Sequence, residues 1–180
     1  MCGLSTNGLV GTHLIAMCFD AGVATTMAAS MLALMGVFNV IGSMASGWLS
    51  DRWDSRWLLF WYYGLRGVSL LFLPYSEFGP YSLAVFAMFY GLDWIATGPP
   101  TMKLIGDVFG ARQVPILFGW IFAMHQLGAG FAAWGAGVMR TVLLSYTEAF
   151  LIAGFACFVA AALSLGVNRG PTQRLEPQPA

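Results

Sequence analysis

Arg66, Asn39, Asp93, His125 and Gln126 are polar side chains set deep inside long apolar stretches of this chain. Arg66 stands ten residues in from Arg56, Asn39 ten before Leu49, Asp93 ten before Lys103, and His125 with Gln126 about twelve after Gln113. On a helix rising 1.5 Å per residue, ten residues cover about 15 Å, half of a hydrocarbon core about 30 Å thick. Four segments therefore bring a polar group to one depth. A charge there costs at least ~2.5–3.5 kcal/mol on insertion scales, and it is normally turned inward, paired, or set beside a watery path. A carboxylate needs a stronger reason than an amide to stay in such a place, and histidine as a residue type exchanges protons near neutrality. Asp93 and His125 are thus candidate proton-coupling or substrate contacts, with Arg66 as the group that neutralises Asp93. Asn39 and Gln126 serve equally well as interhelical hydrogen-bonding groups. Trp94 and Trp120 lie at similar depth, where core packing is the favoured role and contact with a ligand the other.

These residues need helices in a bilayer to hold them. Of the residues, 58% are hydrophobic and 9% charged, against about 25% charged in an ordinary soluble domain; the mean hydropathy is +0.73. Such a chain cannot make a water-soluble surface, and the fold class expected is all-α, a polytopic membrane helical bundle. Apolar runs predict six spans at 1–18, 24–49, 57–73, 81–105, 114–139 and 147–167, the first too short and reading as truncated at its start. The opening residues lack the charged start of a signal peptide and read as the remainder of a membrane helix. Residues 74–80 form a tight turn, and the fourth span ends at Gly98 or bends at Pro99 and Pro100 to reach Ile105. Pro115 sits in the first turn of the fifth, where its missing N–H is harmless. Residues 169–180 read as a disordered tail. Gly36, Gly42, Ser43, Ser46 and Gly47, and then Gly128, Gly130, Ala133 and Gly137, have the spacing that lets helix backbones approach closely.

Basic residues fall on one side: Arg52 and Arg56, Lys103 and Arg112, Arg169 and Arg174, against Arg140 beside Asp20, Glu77 and Glu148 on the other. The positive-inside rule places the first group and the C-terminus in the cytoplasm of a multi-pass protein of the inner (plasma) membrane. Net charge is zero with scattered bases, which excludes a nucleic-acid surface. Cys2, Cys18 and Cys157 have no metal-like spacing and read as buried free thiols. His13 and His125 are the only histidines, with neither H-E-x-x-H nor G-x-S-x-G, so no enzyme, metal or cofactor is expected.

The segment GWLSDRWDSR at 47–56 resembles G-x-x-x-D-R-x-x-x-[RK], the signature between the second and third helices of each six-helix half of major facilitator superfamily transporters. It departs from the common pattern in carrying Trp53 and Asp54. GTHLI at 11–15, WYYGLRG at 61–67, GLDWIAT at 91–97 and HQLG at 125–128 look like the monocarboxylate and oxalate/formate-antiporter branch, so the resemblance covers residues 3–168. It implies a C-terminal half whose partner is a missing N-terminal six-helix half, the substrate site lying between the two. It further implies alternating access for a small organic anion, coupled to protons or to exchange. The first, second, fourth and fifth helices of a half line the family's cavity, which makes Asn7, Asn39, Asp93, His125 and Gln126 cavity residues, with Trp120 near them, and leaves Arg66 a structural ion pair or switch. Gly47, Asp51, Arg52 and Arg56 become a cytoplasmic gate latch: Gly47 permits close approach, Asp51 accepts from a neighbouring helix N-terminus, and the arginines pair with carboxylates or lipid phosphates. Drug efflux within the same superfamily and a non-transporting membrane scaffold are the alternatives.

Overall fold

Long apolar runs free of internal proline can satisfy their backbone only by coiling on themselves, and they do so here. A computed structural model describes residues 2–167; the expected tail at 169–180, with Arg169 and Arg174, lies outside them. The described residues form seven α-helices: α1 (Gly11–Asp20), α2 (Thr25–Arg52), α3 (Ser55–Phe72), α4 (Pro80–Asp93), α5 (Gly98–Phe109), α6 (Val114–Leu143) and α7 (Thr147–Leu165). No strand occurs among them. A π-helical stretch, Leu4–Val10, runs straight into α1. Among the described residues, three helical stretches are long and apolar enough to cross a membrane: α2, Ala111–Leu143 containing α6, and α7.

The expected fourth span is two helices. Residues 94–97 form tight turns in which Trp94 N donates to Gly91 O (3.1 Å) and Gly98 N to Ile95 O (2.8 Å). The break lies ahead of Pro99 and Pro100, rather than on them, for a covalent reason. A proline removes the donor that the carbonyl four residues earlier would use, so these two prolines orphan the carbonyls of Ile95 and Ala96. The prolines themselves sit comfortably in the first turn of α5. The first span also differs from a plain helix, since the π stretch widens it around Asn7.

Packing is pairwise: α3 runs along α7, α2 along α4, and the π stretch along α6. Small residues make the first two contacts possible. A Cβ on Gly91 of α4 would lie 2.8 Å from Met35 O of α2, and one on Gly154 of α7 would lie 2.9 Å from Leu71 Cγ of α3. Gly42 of α2 is likewise pressed against the backbone of Leu92. Among the other expected contact glycines, Gly36, Gly47 and Gly130 face open space. Leu14, Cys18, Met35, Leu70, Phe86, Phe150 and Cys157 fill the interior. Cys18 and Cys157 are buried free thiols, whereas Cys2 is half-buried and hydrogen-bonded.

Replacing Gly91 by Val forces α2 and α4 apart, an overpacking effect of about 1–3 kcal/mol. The expected result is a clear fall in the thermal midpoint of the detergent-solubilised protein, followed by tryptophan fluorescence, while Gly36→Val leaves it within error.

Candidate functional site

The broken helix exposes peptide groups at membrane depth, and such backbone is tolerated only where protein or a watery cavity receives it. Neighbouring helices supply the missing partners. Asn39 Oδ1 of α2 accepts from Ile95 N (3.1 Å), and Ser46 Oγ, two turns further along α2, donates to Ala96 O (2.5 Å). Arg66 of α3 completes the set. Its Nε donates to Asp93 Oδ2 (2.6 Å), and Nη2 donates to the Asp93 carbonyl and to Trp94 O (3.3 Å). Arg66 is fully buried, and its third nitrogen, Nη1, donates to Cys2 Sγ at 2.7 Å.

The π stretch is satisfied in the same manner. Tyr90 of α4 donates its hydroxyl to Ser5 O (2.8 Å), and Thr12 Oγ1 donates to Asn7 O (2.7 Å). The widened turn presents Asn7 toward α6, where Asn7 Nδ2 lies 3.4 Å from His125 Nε2 and donates to Gln126 Oε1 at 3.5 Å. Phe122 stacks on the His125 ring, with centroids 5.5 Å apart and planes 8° off parallel. A cavity of about 220 Å³ opens beside these groups. Asn7, Cys2, Tyr63, Trp94, Thr97 and His125 contribute to its lining.

The expected site residues therefore divide. Asn7 meets both His125 and Gln126, of which His125 lines the cavity and Gln126 does not. Arg66 and Asp93 form a buried ion pair that reaches the cavity through Cys2. Asn39 is occupied by the helix break and is absent from the cavity lining. Trp120 is 70% exposed and also outside the lining, because its position on α6 turns it away from the bundle. Cys2, Tyr63 and Thr97 were missed from sequence. The one usable signal was the proline pair that follows Thr97, since two prolines in a first helical turn mark the end of the preceding helix.

At the opposite end of α1, Asp20 and Arg140 form a two-pronged ion pair, with Arg140 Nε and Nη2 donating at 2.8 and 2.7 Å. His13 joins α1 to the same end of α6 and α7, donating from Nε2 to Ala133 O (2.8 Å) with Nδ1 3.2 Å from the Tyr146 hydroxyl.

Residues 2–180 match the Major Facilitator Superfamily. The chain belongs to the major facilitator superfamily. It is 30% identical to monocarboxylate transporter 13 of Rattus norvegicus over 145 residues, which is 79% of this chain and 33% of that protein. It is 27% identical to monocarboxylate transporter 12 of Xenopus laevis over 168 residues (87% and 35%). It is also 27% identical to the uncharacterized MFS-type transporter YcxA of Bacillus subtilis over 175 residues (94% and 41%). The chain thus spans about a third to two-fifths of the length of the curated relatives it matches.

Within this superfamily member, the 47–56 segment has a geometry other than the expected latch. Asp54, not Asp51, caps the N-terminus of α3, accepting from Arg56 N at 3.0 Å. The cause is position: Asp54 immediately precedes the helix, while Asp51 is still inside the last turn of α2 and exposed. Arg56 binds Asp54 through Nε (3.3 Å) and Nη2 (3.1 Å) and reaches Val167 O at 3.2 Å, tying α3 to the end of α7. Arg52 lies 3.9 Å over the Trp48 ring and is exposed. No backbone approaches Gly47 closely, so its role as a contact glycine is not realised in this conformation. Lys103 of α5 donates to Ser50 O and so satisfies a carbonyl at the C-terminal end of α2.

The Arg140 hydrogen bonds hold Asp20 below its ordinary value of 3.8. A lowered carboxylate contributes its full stabilisation above that ordinary value and loses it as pH falls through the lowered one. Amide hydrogen exchange at the end of α1 should therefore be flat between about pH 5 and 8 once corrected for intrinsic rates, and should rise below about pH 4. Arg140→Gln should remove the acid-dependent rise.

Proposed function

We propose that this chain forms the C-terminal half of a secondary transporter that moves a small organic anion, such as a monocarboxylate, by alternating access. One observation carries the reading: the cavity sits where two irregular helical segments, the π stretch and the 94–97 break, face His125 of α6. Irregular helices around a midplane site are the construction expected of transporters, because they free polar groups for a solute and provide places to bend. The names of the relatives support a monocarboxylate. The modest size of the cavity supports a small solute over a drug-sized one. The apolar wall formed by Phe118, Ile121 and Phe122 favours drug efflux as the second reading.

The partner we assign is an N-terminal six-helix half. Phe122, Ala123, Gln126 and Gly130 leave α6 exposed on the side next to His125, and a second half laid there would close the cavity. With six crossings at 1–18, 24–49, 57–73, 81–105, 114–139 and 147–167, the basic link at 47–56 and the C-terminus lie in the cytoplasm, with the protein in the inner (plasma) membrane. Asn7, His125 and Gln126 are the proposed solute contacts. Asp93 is the proposed proton-coupling group, switched by its contact with Arg66, and Arg56 holds the cytoplasmic end closed through Asp54 and α7.

The test is uptake of a radiolabelled monocarboxylate into vesicles that contain both halves. His125→Ala should lower uptake at least tenfold with the protein still folded. Asp93→Asn should abolish accumulation driven by a proton gradient while exchange persists; coupling unchanged from the parent removes Asp93 from the mechanism. Because the single variant strands the buried Arg66 charge, at about 3–5 kcal/mol, the double variant Arg66→Gln/Asp93→Asn is the control for folding. Uptake of lipophilic cations in place of acids would select the efflux reading.

A further inference from the structure

Asp93 has a second oxygen that the ion pair leaves unused. Arg66 Nε occupies Oδ2 at 2.6 Å, whereas Oδ1 is buried and has no hydrogen-bond partner among the described residues. The Asp93 residue is only 5% exposed. A lone acceptor of this kind, away from water, calls for a donor. The place from which a donor can arrive is also defined. Asp93 contributes to a groove of about 480 Å³ between α3 and α4, separate in its lining from the cavity beside His125. Leu65, Val68, Phe72, Val85 and Phe89 form its walls. Leu65, Val68 and Phe89 are more than half exposed, so the groove opens sideways toward the hydrocarbon rather than toward water. Tyr62 and Ser69 are the remaining polar side chains of the lining, and Ser69 spends its hydroxyl proton on Leu65 O at 3.0 Å.

We propose that this groove is a second binding site, which takes a neutral lipophilic molecule with one hydroxyl donor from the bilayer, the hydroxyl bonding to Asp93 Oδ1. Charge selects the class. Arg66 already balances the carboxylate, so a further cation has little to gain, and an anion meets only the acceptor oxygen. A neutral O–H group costs far less than a charge to carry through lipid and supplies the hydrogen bond that Oδ1 lacks, while the apolar walls receive the rest of the molecule. The volume lies within the range of drug-sized pockets, large enough for an aromatic ring bearing an alkyl chain. Occupancy would brace the Arg66–Asp93 pair from the side opposite the His125 cavity.

The probe is a diazirine-bearing alkylphenol, photolysed with the full chain in lipid nanodiscs and located by mass spectrometry. Labelling should be saturable and confined to the peptides of α3 and α4 that line the groove. Unlabelled 4-octylphenol should displace it at a concentration at least tenfold below that of 4-octylanisole, which has the same shape and no donor. Equal displacement by the two overturns the role of Asp93 Oδ1, and unsaturable labelling spread over the lipid-facing helices overturns the site. Val85→Trp, which fills the groove without touching the ion pair, should weaken saturable labelling at least tenfold; undiminished labelling of the folded variant also overturns the proposal. If that variant does not fold, the comparison of phenol with ether on the unaltered chain decides. None of these readouts depends on transport, so they stand or fall apart from the transporter reading.

Discussion

Arg66 carries a fork of N–H donors into a part of the bundle with no water to receive them, and the local structure is arranged around that need. One edge of the guanidinium takes the Asp93 carboxylate, another takes the carbonyls of Asp93 and Trp94, and the last takes the thiol of Cys2. A single side chain on α3 thereby joins the end of α4, the turn between α4 and α5, and the start of the π stretch. Removing either charge would leave the other buried and unpaired, which is more costly than never having placed the pair there.

The same rule, that every peptide group in hydrocarbon must find an internal partner, connects the two irregular segments to the site. Pro99 and Pro100 withdraw two donors, Gly98 and Ser46 replace them, and Asn39 receives the N–H that the tightened turn sets free. At the π stretch Tyr90 and Thr12 perform the corresponding service. Irregular backbone is thus tolerated in both places at the expense of polar side chains from adjacent helices. It follows that some intramembrane polar residues are there for the protein's own backbone, and those left over, Asn7, His125 and Gln126, are the better candidates for a solute.

The segment at 47–56 illustrates how a shift of three residues changes a role. Asp51 and Asp54 both precede α3 in sequence, but α2 extends through Arg52, which places Asp51 on a helix and Asp54 at a cap. The departure from the common family pattern at Asp54 therefore caps the N-terminus of α3, the kind of contact expected of Asp51. The glycines divide by the same kind of fact: Gly42 and Gly91 are pressed against a neighbouring backbone, whereas Gly36 and Gly47 have the same spacing and no neighbour.

Composition and the long apolar runs together determined an all-α membrane bundle, because so few charges cannot clothe a soluble surface and runs of that length span a bilayer as helices, and the family was legible in 47–56 together with the deep polar residues. The pairing of Arg66 with Asp93 was legible too, since a buried charge requires an opposite one nearby. Sequence could not say that Asn39 serves the helix break, that Trp120 faces outward, or that Cys2 and Thr97 border the cavity. Those facts depend on the rotation of each helix about its axis and on which helices are neighbours. Depth follows from counting residues along one helix, but facing is set by packing between helices, and only the tertiary structure decided it.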